Sequence, residues 1–334
     1  MCADAALGAS SERFVLAPLK RRVRDAEAAI SVETALQFQL TEYGELVSSL
    51  ETRDELRRLR LRDVDSASPE IIHQLATELR ADWIVVATLH DVLRREVSDL
   101  ALSIRFYDGA SGNLAWASFM GRNGLDGRKL LGLGVLTSMD DLASELVRRT
   151  LEASMVSMDR SSESSPPRAR SQGLGRVALV PFTGYVDRDA LGVADAATEA
   201  SRAVLMRQGL RLASPGCVSQ ALRLQRAQVW GELTAEARNY LEQKCGADSL
   251  LTGSVAQWGI NGSAYEPVPQ IALAIRLLNA SSGRILWMSS IEKTGRSSES
   301  LFRAGRIYSR GKLLDRILTR LTDEMLAETS LPTG

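Results

Sequence analysis

The chain has 334 residues, 45% of them hydrophobic and 25% charged, the make-up of a globular protein of about two domains, each large enough to bury its own core. Its 41 Lys and Arg balance 41 Asp and Glu, so no global field favours nucleic acid or an anionic membrane, and no apolar run nears the ~20 residues of a membrane-spanning helix. Three cysteines in no metal-like spacing and two histidines, His73 and His90, remove most metal sites and most Cys/His or Ser/His catalysis.

Arg13–Leu19 is a short apolar run interrupted by Pro18, which reads as a buried strand with an exit proline. A helix follows, with Ala29, Val32, Leu36 and Leu40 at three- and four-residue spacing, and then a second short strand at Glu45–Ser48. Pro69 sits near the start of another helix, whose Ile72, Leu75, Ala76 and Leu79 make one apolar face. Trp83–Leu89 is nearly all apolar, as expected of a strand covered on both sides. Leu100–Tyr107 alternates with period two, and Asp108-Gly109-Ala110-Ser111-Gly112 supplies a hairpin turn. A loop symmetric about Ala110 places Ile104 opposite Trp116 and Phe106 opposite Leu114. Leu136, Met139, Leu142, Ala143 and Leu146 then form the stripe of a last helix.

After Ser157–Ser171, a Ser- and Pro-rich stretch that reads as a flexible linker, the pattern repeats. Arg13–Leu19 resembles Arg176–Phe182, Ala81-Asp82 returns as Ala247-Asp248, and 99–150 lies on 270–321 at a constant offset. Eight of the eighteen positions in 101–118 are identical to their counterparts in 272–289. The offset grows along the chain, as insertions in the loops of a duplicated fold would make it do. The expected hairpin pairs recur as Ile275 with Trp287 and Leu277 with Ile285. The fold class is therefore α/β, with two tandem copies of a β-α-β-α-β-β-β-α module around a mixed sheet. Residues 1–12 are a lead, 13–154 the first module, 155–175 the linker, 176–327 the second module and 328–334 a tail.

Gly246–Val255, with its alanine–aspartate, strand and glycine, is followed by the strand–turn–strand Ile271–Trp287, which ends in Leu286-Trp287. Together they resemble a superfamily of bacterial envelope modules typified by the curli-export lipoprotein CsgG, the synthase activator LpoB and the amino-terminal domain of TolB. The resemblance spans about 176–325 and extends more weakly over 13–152. It implies a non-catalytic, protein-binding module of the periplasm, often on a lipid anchor. Trp258–Pro269 is too short to cross a membrane as two strands of ~9–11 residues, so no pore is expected.

Cys2-Ala3-Asp4 resembles the mature start of a lipoprotein, which makes Cys2 the expected lipid attachment point; an ordinary cysteine in a tail is the other reading. Cys245 reads as a small core residue, and a Cys217–Cys245 disulfide is compatible with an oxidising compartment. Arg105 and Arg276 recur on the non-core face of equivalent strands, either as ligands for an acidic partner or as arginines paired with a neighbouring carboxylate or helix end. Trp258, read as lying in a loop without an equivalent in the first copy, is the third expected partner contact.

The function that follows is a non-catalytic adaptor or scaffold, periplasmic and on a lipid anchor at the outer membrane, that binds proteins of an envelope assembly or secretion system. No cofactor, metal or nucleic acid is expected. The partners are other envelope proteins and further copies of the chain, and the membrane is reached only through the lipid. A native start at Met1 would instead keep the chain in the cytoplasm. The competing reading is a cytosolic nucleotide- or nucleic-acid-binding protein built on an anticodon-binding-like module.

Overall fold

The computed structural model describes residues 12–94, 96–128, 134–163, 174–184, 190–224, 233–263, 266–297, 299 and 305–329. The first module contains strands β1 (Arg13–Leu16), β2 (Lys20–Arg21), β3 (Glu45–Leu46), β4 (Trp83–Leu93), β5 (Asp99–Asp108) and β6 (Leu114–Asn123). Its helices are α1 (Ala26–Leu40), α2 (Ser49–Arg58), α3 (Pro69–Leu79) and α4 (Met139–Glu163). The strand order is β3-β1-β4-β5-β6, with β2 beside β4. β1 runs parallel to β3 and β4, whereas β4, β5 and β6 form an antiparallel meander.

The second module repeats this plan. Its elements are β7 (Arg176–Leu179), β8 (Thr183–Gly184), α5 (Ala190–Arg207), β9 (Arg211–Leu212), α6 (Pro215–Leu224) and α7 (Ala235–Cys245), then β10 (Ser249–Asn261), β11 (Val268–Asn279), β12 (Ile285–Thr294) and α8 (Arg310–Thr329). The order β9-β7-β10-β11-β12, with β8 beside β10, is that of the first sheet. The chain is thus α/β, with a six-stranded mixed sheet in each half.

In each module one sheet face is covered by the module's own first and last helices, and the other face is covered by its own middle helices only over the strands nearest them. In the first module Phe14, Val85, Leu102, Ile104 and Phe106 pack under α1 and α4, and Val15, Ile84, Val86 and Tyr107 under α2 and α3. The helices start where short polar side chains satisfy the free amides of the first turn. The Asp25 carboxylate accepts from the Ala28 amide at 2.9 Å, and Thr234 Oγ1 caps α7. Cys217 in α6 and Cys245 at the end of α7 are joined as a disulfide across the second module's outer core, with Cα atoms 5.8 Å apart.

Four sequence expectations are corrected. The pairings are Ile104 with Ser118, Phe106 with Trp116 and Tyr107 with Leu114. The turn is centred between Ala110 and Ser111, and Ala115 is bulged out of the ladder, so the register moves by two residues. The second hairpin carries the same shift, pairing Leu277 with Trp287 and Leu278 with Ile285. Helix α2 lies between the second strand and the Pro69 helix, where its polar, Arg-rich sequence conceals a short buried side at Thr52 and Leu56. Helix α4 begins at Met139 and continues to Glu163, beyond the expected start of the linker. Trp258 belongs to strand β10, opposite Ile271, and not to a loop. Among the described residues no helix is long and apolar enough to cross a membrane.

Candidate interaction site

The two modules meet face to helix. Helix α5 of the second lies across β4, β5 and β6 of the first, and the N-terminal turn of α8 rests on β6. The origin of this seam is the outward side of β5 and β6. There Ala101, Ser103 and Arg105 alternate with the core residues and pair across the ladder with Gly121, Phe119 and Ala117. All six are buried, although their own module's helices cover little of this area. Ala101 and Phe119 belong to the same apolar cluster as Ala196, Ala200 and Leu314 of the second module. Helix α5 can sit between two sheets because Ala194, Ala196, Ala197, Ala200 and Ala203 give it little bulk on either side.

Two polar contacts and one close backbone approach fix the seam. Arg105, 2% exposed, reaches Asp65 with Nη2, and its Nε lies 3.4 Å from Glu199 of α5, an ion pair without hydrogen-bond geometry. Asp65 also accepts from Lys20 Nζ at 3.1 Å, and Glu199 pairs with Arg202 at 3.3 Å. Burial alone would raise the carboxyls of Asp65 and Glu199. That is the largest single effect on each, but Arg105 together with Lys20 at Asp65, and with Arg202 at Glu199, reverses it, and both titrate below the usual carboxylate range. The cluster is a buried, charge-compensated bridge that spans both modules.

The second contact is Arg310, at the start of α8. Its Nη2 donates to Asp91 Oδ1 at 2.7 Å, its backbone amide donates to Asp99 Oδ2 at 3.1 Å, and its guanidinium lies 5.6 Å from the centre of the Trp258 ring. Burial and the neighbouring Asp91 push the Asp99 carboxyl up, against the pull of Arg310. The third is a backbone approach. A Cβ on Gly121 would fall 2.3 Å from the Cα of Gly311, so only glycine lets α8 lie this close to β6. Arg22 with Asp195, and Lys312 with Asp126 at 3.3 Å, add ion pairs at the margins.

His90 lies under the same face. It is the extra residue of a bulge in β4, between Leu89 and Asp91, and the second module has Ala256 at the matching bulge in β10. The ring is buried, with Nε2 2.8 Å from Ser103 Oγ, and burial lowers its pKa to about 4 despite the carboxylates of Asp195 and Glu199. Among the described residues no group of three or more His, Cys, Asp or Glu could hold a metal ion.

The residues singled out from the sequence separate here. Arg105 is enclosed, and the acids it meets belong to this chain. Arg276, its counterpart in β11, is exposed. Trp258 is partly buried against the second module's core and supports Arg310. Cys2 lies outside the described residues. Sequence reading missed the seam itself, as well as Asp65, Glu199 and Arg310. The signal available was the run of alanines in 190–207, spread around the helix instead of along one stripe.

Neither a protein-family model nor a curated protein sequence matches the chain. Among solved structures it is similar to the PelC dodecamer from Paraburkholderia phytofirmans, with 17% identity over 51% of this chain and 96% of that one and a TM-score of 0.31. It is similar to lipoprotein GNA1162 from Neisseria meningitidis, with 17% identity over 46% and 99% of the two chains and a TM-score of 0.29. It is also similar to the LpoB C-terminal domain from Salmonella enterica, with 15% identity over 40% and 90% and a TM-score of 0.26.

Proposed function

We propose that this chain is a non-catalytic adaptor of the bacterial cell envelope that works by binding proteins through its module faces. The observation that carries the reading is the seam: a sheet face of one module receives a helix face of another through an apolar centre and a buried charge bridge. That is the anatomy of a protein–protein interface, and duplication supplies a second set of the same faces. The Cys217–Cys245 disulfide supports an oxidising compartment, since structural disulfides are rare in a reducing cytosol. The likeness of Gly246–Trp287 to the CsgG, LpoB and TolB amino-terminal modules supports the periplasm, and the resemblance of Cys2-Ala3-Asp4 to a lipoprotein's acylated cysteine supports a lipid anchor on Cys2 at the outer membrane.

The test is made in cells carrying the complete gene. Alkylation of free thiols before lysis, followed by fractionation and mass spectrometry, reads compartment, disulfide and Cys2 together. Recovery with the envelope, Cys217 and Cys245 protected and a lipid mass on Cys2 are expected. A cytosolic protein with both thiols alkylated overturns the reading.

A further inference from the structure

The seam uses each module only once. The first module gives its sheet face and the second gives its helix face, so the first module's helix face and the second module's sheet face are left over. Both remaining faces are exposed. On the second sheet Arg276, Met288, Ser290 and Glu292 occupy the places of Arg105, Ala117, Phe119 and Gly121, and where the first set is buried the second is open to solvent, with Met288 63% exposed. At the hairpin end Ile285 is 47% exposed. Its counterpart Leu114 lines a groove with Met206 and Leu212 of the second module.

On the first module the outward side of α1 carries Ile30, Thr34 and Phe38, four residues apart on one ridge, with Ile30 65% and Phe38 67% exposed. With Gly44 laid on Gly209, Ile30, Thr34 and Phe38 fall on Asp195, Glu199 and Ala203 of α5. A groove beside Phe38 is lined by Leu16, Pro18, Gln37, Thr41 and Leu46. Large exposed apolar side chains on a helix and on a sheet face that are joined elsewhere in the same molecule are unusual for a surface meant to stay wet.

We infer that these two faces bind each other between chains, so that the α1 ridge of one copy docks on the β11–β12 face of a second copy and repeats the seam in trans. The occupant is another copy of this chain because the interface continues one already present inside it, with the same elements in the same roles. The central charge bridge is not repeated, because Thr34 stands where the internal seam has Glu199; the exposed Arg276 on the sheet side has Glu33 as the neighbouring carboxylate of α1. Charge also disagrees at one corner. Glu292 replaces Gly121 and Asp140 replaces Gly311, so the close glycine approach is lost and two acids meet. The trans contact is therefore weaker than the internal one and reversible. Because the joining faces differ, the contact is heterologous, and further copies add head to tail into rings or filaments.

The experiment uses the full chain, the two variants Phe38→Arg and Met288→Arg, and sedimentation velocity up to about 100 μM. Wild type is expected to assemble beyond its 36.4 kDa chain mass as concentration rises. Each variant, with unchanged circular dichroism and melting temperature, should stay monomeric. Mixed together, the two variants keep one intact donor and one intact acceptor and should form a discrete two-chain complex that grows no further. A wild type that is monomeric throughout overturns the inference, as do variants that assemble like wild type or a mixture that stays monomeric while wild type assembles. None of these outcomes depends on where the protein resides, so the envelope reading stands or falls separately.

Discussion

Arg105 and Arg276 occupy the same position in the two repeats, yet Arg105 is sealed between Asp65 and Glu199 and Arg276 is exposed. One fold position has become an internal bridge in one copy and an open surface in the other. The difference arises from what lies above each sheet: α5 of the second module covers the first, and none of the chain's described helices covers the second in the same way.

Removing the two arginines should therefore have unequal effects. Arg105→Ala strands two buried carboxylates and should cost about 3–5 kcal/mol, read as a lower midpoint in urea unfolding. Arg276→Ala should stay within about 0.5 kcal/mol of wild type. Equal midpoints for the two variants would contradict the bridge.

His90 makes stability depend on pH in a defined window. Its folded pKa of about 4 lies below the ordinary 6.5, so between those values the unfolded chain binds more protons than the folded one. Stability should fall as pH drops from 6.5 towards 4, by up to about 3 kcal/mol from this residue. His90→Gln should flatten that part of the profile. The depressed carboxyls of Asp65 and Glu199 add their own loss at lower pH. A variant with the wild-type slope would show that the ring is not the group responsible.

Cys217 and Cys245 are 28 residues apart, and closing a loop of that length is worth about 3.5 kcal/mol in the chain-entropy account. Reduction with a phosphine should lower the melting temperature of the native protein, and Cys217→Ala should reproduce the shift and remove the response to reductant.

Arg80 closes α3 at a φ of 52°, a left-handed conformation that disfavours a side chain, while the second module uses Gly246 at the matching place with a φ of 63°. Arg80→Gly should stabilise the protein by up to about 1 kcal/mol, measured by urea unfolding.

Much of this architecture is legible in the residues because it rests on local patterns. The alternation in Leu100–Tyr107, the apolar run at Trp83–Leu89 and the stripe through Ile72, Leu75 and Ala76 all mark elements that form. The hairpin register is not legible because the turn is centred between Ala110 and Ser111 and the one-residue bulge at Ala115 has no glycine to announce it. Trp258 read as a loop because Gly259 and Gly262 flank it with turn-like residues, although the strand continues to Asn261. The seam depends on contacts between residues as far apart as Arg105 and Glu199 or Asp99 and Arg310, and no periodicity within either segment encodes such pairs. What could be seen was the repeated arginine, and the alternative of pairing it with a neighbouring carboxylate is the one found at Arg105.

The most direct test of the account is whether the modules hold each other without the peptide that joins them. A specific protease site placed within residues 164–173 of the full chain allows the folded protein to be cut and then passed over a sizing column. The halves should co-elute at the position of the intact 36.4 kDa chain and separate when Glu199→Ala and Gly121→Arg are introduced together. Halves that part on cleavage of the otherwise wild-type chain would contradict the claim that the module faces are protein-binding surfaces.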